Sequence, residues 1–126
     1  MIVLILPQAY ISGQNAIIFN GRREVLQNIT VDDADDLRVI TVEEQSGRIA
    51  LGDKHKVYLY EPAGRDSGDL HWNQSAVVQV DSEIHCISWA SEEELLVAGQ
   101  HIGLWRLASY EGPQKIWQSD LANTIF

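Results

Sequence analysis

Residues 84–105 read IHCISWASEEELLVAGQHIGLW, and they repeat the pattern of residues 37–60, LRVITVEEQSGRIALGDKHKVYLY. Each copy has three spaced apolar residues, a polar turn, an apolar segment that ends in glycine, and a third segment that ends in an aromatic residue. The first apolar residues of the two copies, Leu37 and Ile84, stand forty-seven positions apart. Self-similarity with such a period is typical of repeat architectures.

The forty-seven-residue offset aligns residues 49–52, IALG, with residues 96–99, LVAG. Both third segments alternate with a period of two, which indicates strands that bury one side. Their final aromatic residues, Tyr60 and Trp105, are predicted to lie between the two repeats. Burial of such a ring contributes about 1.5–3 kcal/mol.

Each copy is expected to continue into a fourth strand, at residues 76–80 and at residues 115–118. Four strands with a period of about 45 residues are typical of one propeller blade. A single sheet of this kind cannot bury both of its faces, so neighbouring blades stack on each other. The predicted fold class is therefore all-β, a partial WD-repeat β-propeller of about two and a half four-stranded antiparallel blades.

The repeat also predicts the layout of residues 1–126, which we expect to form a single incomplete β-propeller domain. Residues 2–6, 16–19 and 24–29 are expected to be the second, third and fourth strands of a partial blade. A propeller closes only with about four to eight blades, so the chain is expected to begin and end inside blades. The predicted units are a partial blade at 1–30, blades at 37–80 and 84–119, and the start of another blade at 120–126.

Charge and composition exclude several classes of function. Nine basic and eighteen acidic residues give a net charge of −9, which repels nucleic-acid phosphates and disfavours binding to anionic membrane surfaces. The apolar run at residues 2–6 is followed by Pro7 and is too short for a leader or a membrane span. Cys86 is the only cysteine, which excludes an intramolecular disulfide and suits a reducing compartment. Its place beside a buried strand position predicts an inert thiol.

Catalytic and cofactor chemistry have little support in the sequence. The four histidines are His55, His71, His85 and His101, and they lack the local pairing that zinc sites use. The neighbours His85 and Cys86 point to opposite faces of a strand and cannot chelate together. A nucleophile elbow and a glycine-rich phosphate loop are both missing from the sequence. We therefore predict a protein that is not an enzyme and that uses no metal or other cofactor.

Two features are candidates for contact with a protein partner. The first is the acidic loop formed by Asp32, Asp33, Asp35 and Asp36, although a charge run is more often a solvated face. The second is Trp72, which follows a polar loop and would be a binding hot spot if exposed. The alternative for Trp72, that it opens a long fourth strand and packs locally, is favoured about two to one.

The order of motifs is similar to that of a known family. The motifs are SGRIAL at 46–51, KVYLYEP at 56–62, Trp72, IHCISWAS at 84–91, ELLVAG at 94–99, LWRL at 104–107 and IWQ at 116–118. From about residue 8 to its end, the chain resembles the N-terminal propeller of the rabconnectin family, whose fungal member is the large subunit of the RAVE complex. A standard WD repeat has Gly-His before the first strand of each blade. Here Asp81-Ser82-Glu83 stands at that place, so this is a divergent WD repeat.

The resemblance implies a cytoplasmic scaffold that promotes V-ATPase assembly and organelle acidification. The implied partners are V-ATPase subunits, the smaller RAVE subunit and the adaptor Skp. Association with the vacuolar or endosomal membrane would be peripheral and would occur only through these partners. No contact residue is implied. The alternative is a generic WD-repeat platform in another complex, for trafficking or for ubiquitin-ligase substrate selection.

Overall fold

The computed structural model describes residues 8–64, 66–107 and 112–119. For Asp120 it describes the backbone only. The strand expected at 2–6 and most of the unit expected at 120–126 lie outside these ranges. The described strands are β1 (Gln8–Ser12), β2 (Asn15–Phe19), β3 (Val25–Thr30), β4 (Val39–Val42), β5 (Ile49–Gly52), β6 (Lys56–Ala63), β7 (His71–Gln79), β8 (Cys86–Trp89), β9 (Glu94–Ala98), β10 (His101–Arg106) and β11 (Gln114–Asp120).

The strands form three antiparallel sheets in which neighbours in sequence are neighbours in space. The first sheet is β1-β2-β3, the middle sheet is β4-β5-β6-β7, and the third sheet is β8-β9-β10-β11. The residues that the structure describes contain no helix. The all-β prediction is confirmed, and the arrangement is consistent with a β-propeller-like fold.

Residues 2–6 were predicted to pair with β2 as the second strand of a blade. The strand that pairs with β2 is instead β1, at Gln8–Ser12. Ala9 pairs with Ile18, and Ser12 pairs with Asn15, so a two-residue turn joins β1 to β2. Gly13 has a φ of 57° in this turn, a conformation that such hairpin turns favour and that glycine adopts without strain. The tight turn therefore places the pairing strand directly before β2.

The predicted alignment of residues 49–52 with residues 96–99, the second strands of the two longer repeats, was also wrong by one residue. Val42 pairs with Ile49 in the middle sheet, whereas Trp89 pairs with Leu95 in the third. The connection in the third sheet is thus one residue shorter, and Leu95 rather than Leu96 is equivalent to Ile49. Because strand side chains alternate between faces, a one-residue slip exchanges the buried and exposed sets.

The sheets stack, and the middle sheet is buried on both of its faces. One apolar cluster lies between the first and middle sheets and contains Ala16, Ile18, Ile29, Ile49, Leu51, Tyr58, Tyr60 and Trp72. A second cluster lies between the middle and third sheets and contains Ala50, Val57, Leu59, Val78, Ile84, Ile87, Leu95 and Val97. Gly52 permits the close approach of β8, because a Cβ there would lie 2.7 Å from Cδ1 of Ile87.

All three sheets share a register shift at the same place between their third and fourth strands. It falls after Ile18, after Leu59 and after Leu104. The next residues are therefore equivalent, and they are the aromatic residues Phe19, Tyr60 and Trp105. Tyr60 belongs to the cluster on the first sheet, so its predicted place between the two longer repeats was wrong. Trp105 packs against the cluster on the middle sheet, and both residues thus face the preceding sheet.

Candidate functional site

The acidic loop connects β3 to β4, and its sequence alternates between anchors and acids. Val31, Ala34 and Leu37 recur at every third position and are 5%, 5% and 6% exposed. All three belong to the cluster between the first and middle sheets. The pairs of acids between them, Asp32 with Asp33 and Asp35 with Asp36, are exposed. The loop is therefore fixed by its apolar residues while its carboxylates face solvent.

Backbone hydrogen bonds attach the acidic loop to the turn between β1 and β2. The N–H of Val31 donates to the carbonyl of Gln14 at 2.9 Å, and the N–H of Leu37 donates to the carbonyl of Gly13 at 2.7 Å. The side-chain amide of Gln14 donates to the carbonyl of Ala34 at 2.5 Å. These bonds satisfy backbone groups that the loop would otherwise bury unpaired.

A buried carboxylate, Asp53, holds the loop from the other side. Asp53 is 3% exposed, and its Oδ2 accepts from the N–H of Asp35 at 3.2 Å and from the hydroxyl of Tyr58 at 3.1 Å. Its Oδ1 accepts from the N–H groups of His55 and Lys56 at 3.0 and 2.7 Å. Four donors on one carboxylate offset the cost of burying its charge.

The hydrogen bonds around Asp53 also affect the pKa of Tyr58. Burial raises the pKa of Tyr58 well above its ordinary value, and the hydrogen bond to Asp53 and the negative charge of Asp53 raise this pKa further. Asp33 and Asp35 of the loop add smaller contributions of the same sign to the pKa. The loop and the buried Tyr58 are therefore linked through Asp53.

Beside the loop is an open depression of about 610 Å³, lined by Gln14, Ala34, Asp35, Asp36, Arg38, Lys54 and Glu83. Nη1 of Arg38 lies 2.5 Å from Oε1 of Glu83. This hydrogen bond and the charge of Arg38 lower the pKa of Glu83. Pairing with Glu83 offsets part of the positive charge of Arg38, so the loop's carboxylates remain the main feature that a basic partner surface would meet.

Of the two alternatives for Trp72, the structure contradicts the exposed contact and agrees with the favoured one, local packing near the start of a long strand. Trp72 is 2% exposed, and its indole Nε1 donates to the carbonyl of Gly47 at 2.8 Å. Its backbone N–H donates to Oε1 of Gln27 at 2.6 Å, and its carbonyl accepts from Nε2 of Gln27 at 3.0 Å. Trp72 lies near the start of β7 and packs locally because β7 is long enough to carry it into the cluster on the first sheet.

Cys86 was treated as a buried cysteine, and this was wrong, because its side chain is exposed. Its pairing partner in β9 is Ala98, on the face of the third sheet that points away from the middle sheet. In the part of the chain that the structure describes, no three residues among its His, Cys, Asp and Glu lie close enough to hold a metal ion.

Sequence reasoning missed Asp53 and Gln14, the two side chains that position the acidic loop. Asp53 directly follows the glycine that ends β5, and an aspartate at such a place readily accepts from N–H groups two and three residues later. That local signal was present in the sequence. Gln14 carries no comparable signal, because its bond to Ala34 joins residues twenty positions apart.

Comparison with known proteins gives an informative similarity. The chain is 28% identical over 100 residues to the "Regulator of V-ATPase in vacuolar membrane protein 1" of Saccharomyces cerevisiae. The match covers 79% of this chain and 7% of the yeast protein, so the chain spans about 7% of the length of that relative. No family model matches the chain. Across the ranges that the structure describes, no helix is long and apolar enough to cross a membrane.

Proposed function

We propose that this chain is a non-catalytic protein-interaction module, part of a WD-repeat-type β-propeller, that serves V-ATPase assembly and organelle acidification. The observation that carries the proposal is the similarity to the yeast V-ATPase regulator over 79% of the chain. The proposed role is that of a scaffold in the cytoplasm, which reaches the vacuolar or endosomal membrane through its partners. V-ATPase subunits and other subunits of a RAVE-type complex are the proposed partners.

The geometry of the acidic loop supports the proposal. A contact surface binds best when its side chains are held before the partner arrives, because less conformational freedom is then lost. The anchors Val31, Ala34 and Leu37, together with Asp53, fix the backbone on which the four aspartates stand. The proposed partner surface is basic, and complementary charge speeds association and fixes its orientation.

The proposal is tested by deleting residues 1–126 from the gene product that carries them and measuring the pH of the vacuole or endosome. The expected result is an organelle lumen that is less acidic than in unmodified cells. Normal organelle pH, with the truncated product present at its usual level, would contradict the V-ATPase role.

A matched variant separates the V-ATPase role from the role of the loop. Reversing the charge of Asp33 and Asp36 with lysine leaves the chain in place and changes only the proposed contact. If the deletion raises organelle pH and this double variant does not, the V-ATPase role stands and the loop is not its contact. If neither change affects organelle pH, the generic platform in another complex replaces the V-ATPase role.

A further inference from the structure

The turn between β2 and β3 is organised by one asparagine side chain. Oδ1 of Asn20 accepts from the N–H of Arg22 at 2.9 Å and from the N–H of Glu24 at 3.0 Å. The main-chain N–H of Asn20 donates to the carbonyl of Glu24 at 3.0 Å, and its carbonyl accepts from the N–H of Arg23 at 3.1 Å. Asparagine readily bonds to backbone groups a few residues later in this way. The side-chain amide of Asn20 is thus held against the backbone that follows it.

The next residue, Gly21, has an accessible backbone nitrogen. No hydrogen bond within the described part of the chain uses the N–H of Gly21. Gly21 and residues 22–24 are exposed, and glycine has no Cβ that would shield an adjacent amide. Water and a solvent base can therefore reach this nitrogen.

The exposure of this turn does not depend on where the chain begins. The equivalent connection in the middle sheet joins β6 to β7, and residues 66–69 within it are exposed. The middle sheet has another sheet on each of its faces, yet this connection stays open to solvent. A connection between the third and fourth strands therefore lies outside the contacts between sheets.

The side-chain carbonyl carbon of Asn20 is activated for nucleophilic attack. Two N–H groups that donate to one carbonyl oxygen withdraw electrons from its carbon and stabilise the negative charge that develops when a nucleophile adds. Arg22 and Glu24 supply such a pair of donors to Oδ1. The turn therefore combines an activated amide carbon, an adjacent unhindered nitrogen and access to water.

We propose that Asn20 is the site at which the folded chain deamidates spontaneously. The backbone nitrogen of Gly21 gives up its proton to a solvent base and attacks Cγ of Asn20. A bond forms between these two atoms, the bond from Cγ to Nδ2 breaks, and Nδ2 takes up a proton and leaves as ammonia. A five-membered succinimide then joins the two residues. Water opens this ring at either carbonyl carbon, which yields aspartate or isoaspartate. Water is the only reagent consumed, and the inference does not depend on the V-ATPase role.

The other asparagines in the described ranges lie in strands, where this reaction is hindered. They are Asn15, Asn28 and Asn73, and they are followed by Ala16, Ile29 and Gln74. A strand holds the main chain extended, and each of the following residues carries a side chain beside the nitrogen that would attack. We therefore expect the fold to confine deamidation to the turn.

The products alter the turn and its charge. Isoaspartate carries the main chain through Cγ of residue 20, so the carbonyl that accepts from Arg23 leaves the main chain. Either product adds one negative charge to a chain whose net charge is −9. Converted chains should therefore separate from unconverted ones by ion exchange, and those with isoaspartate should unfold at a lower urea concentration.

The experiment incubates the gene product that carries residues 1–126 at mildly alkaline pH and locates each converted residue by fragmentation in a mass spectrometer. A methyltransferase specific for isoaspartate labels one of the two products. Asn20 should be converted at least about tenfold faster than Asn15, Asn28 or Asn73, which is a barrier lower by about 1.4 kcal/mol. The rate should rise with pH, because base removes the proton from the nitrogen of Gly21.

Two variants of the gene product separate the effect of the turn from that of the dipeptide. The φ of Gly21 lies outside the left-handed region, so Gly21→Ala fits the turn, and its methyl group should slow the conversion of Asn20 about tenfold. Ala16→Gly creates a second Asn-Gly pair at Asn15, within β2, which is paired on both sides. That pair should be converted at least about tenfold more slowly than Asn20, because the strand holds its backbone and bonds its N–H.

An Asn20 that stays unconverted, whatever the other asparagines do, would overturn the proposal. Conversion of Asn15 in the Ala16→Gly variant as fast as that of Asn20 would show that the dipeptide, and not the turn, sets the rate. Incubation of the same variant in urea removes the fold, and the two rates should then become similar. A difference that persists unchanged in urea would contradict a role for the folded turn.

Discussion

The hydroxyl of Tyr58 donates a hydrogen bond to Oδ2 of Asp53 at 3.1 Å, and the same oxygen accepts from the backbone N–H of Asp35 at 3.2 Å. One buried carboxylate therefore ties β6, the turn before it and the acidic loop into a single unit. The position of the exposed acids depends on a residue in the core. A substitution at Tyr58 should therefore change both the free energy of unfolding and the position of the acidic loop.

Tyr58→Phe should lower the free energy of unfolding by about 1–2 kcal/mol at neutral pH, because Asp53 loses a donor while remaining buried. Burial and then Asp53 raise the pKa of Tyr58 above its ordinary value of 10.0. The stability that comes from this raised pKa is fully present below about pH 10 and is lost as the pH rises towards the folded-state pKa. Urea titrations between pH 8 and 11.5 should therefore show a flatter alkaline decline for Tyr58→Phe than for the unmodified chain. Equal slopes for the two proteins would contradict the network, and Tyr10→Phe is the exposed control.

Trp72→Ala should destabilise the chain by about 3–5 kcal/mol, the usual cost of removing a buried large aromatic. The substitution also leaves the carbonyl of Gly47 without its indole donor. Trp117 is 50% exposed. Trp117→Ala should therefore change the free energy of unfolding by only about 0.5 kcal/mol. Denaturant unfolding at low protein concentration measures both values. Similar values for the two tryptophans would show that the placement of Trp72 in the core is incorrect.

Gln27→Leu should cost about 1–3 kcal/mol, because the backbone N–H and carbonyl of Trp72 both lose their partner in β3. Gln27→Glu keeps an acceptor for the N–H but sets an anion against the carbonyl. This second variant should therefore recover stability when the pH is lowered enough to protonate the introduced carboxylate, which then donates to that carbonyl. An absence of pH dependence in the difference between these variants would argue against the two-bond bridge.

Charge reversal at the exposed positions of the acidic loop should have little effect on stability. A polar substitution at one of its buried anchors should lower the free energy of unfolding. Asp33→Lys combined with Asp36→Lys should alter the free energy of unfolding by about 0.5 kcal/mol or less. Ala34→Asp should cost several times more, because it places an unpaired charge in a position that is 5% exposed. Thermal unfolding of both variants gives the comparison. A large loss in the lysine variant would mean that the aspartates serve the fold rather than a partner.

Local alternation and the internal repeat were sufficient to predict the all-β fold and the strands of the two longer repeats. They failed where the outcome depended on a single residue of spacing. The connection before Leu95 is one residue shorter than the one before Ile49, and sequence similarity hid this because both segments end in glycine. Local packing of Trp72 was the favoured alternative, but its two hydrogen bonds to Gln27, forty-five positions away, escaped prediction. The exposure of the four aspartates followed from their charge, but their rigid support by Asp53 did not.

The most direct measurement captures the full gene product from cells and quantifies the V-ATPase subunits that come with it. The unmodified protein should retain these subunits, and raising the salt concentration should release them, because exposed charges are screened beyond about 8 Å at physiological ionic strength. Asp33→Lys with Asp36→Lys should reduce the captured subunits about fivefold or more. The matched reversal of Glu92 and Glu93, exposed acids in the connection between β8 and β9, should leave the amount unchanged. V-ATPase subunits missing from the unmodified capture, or equal amounts with both reversed variants, would contradict the proposed contact.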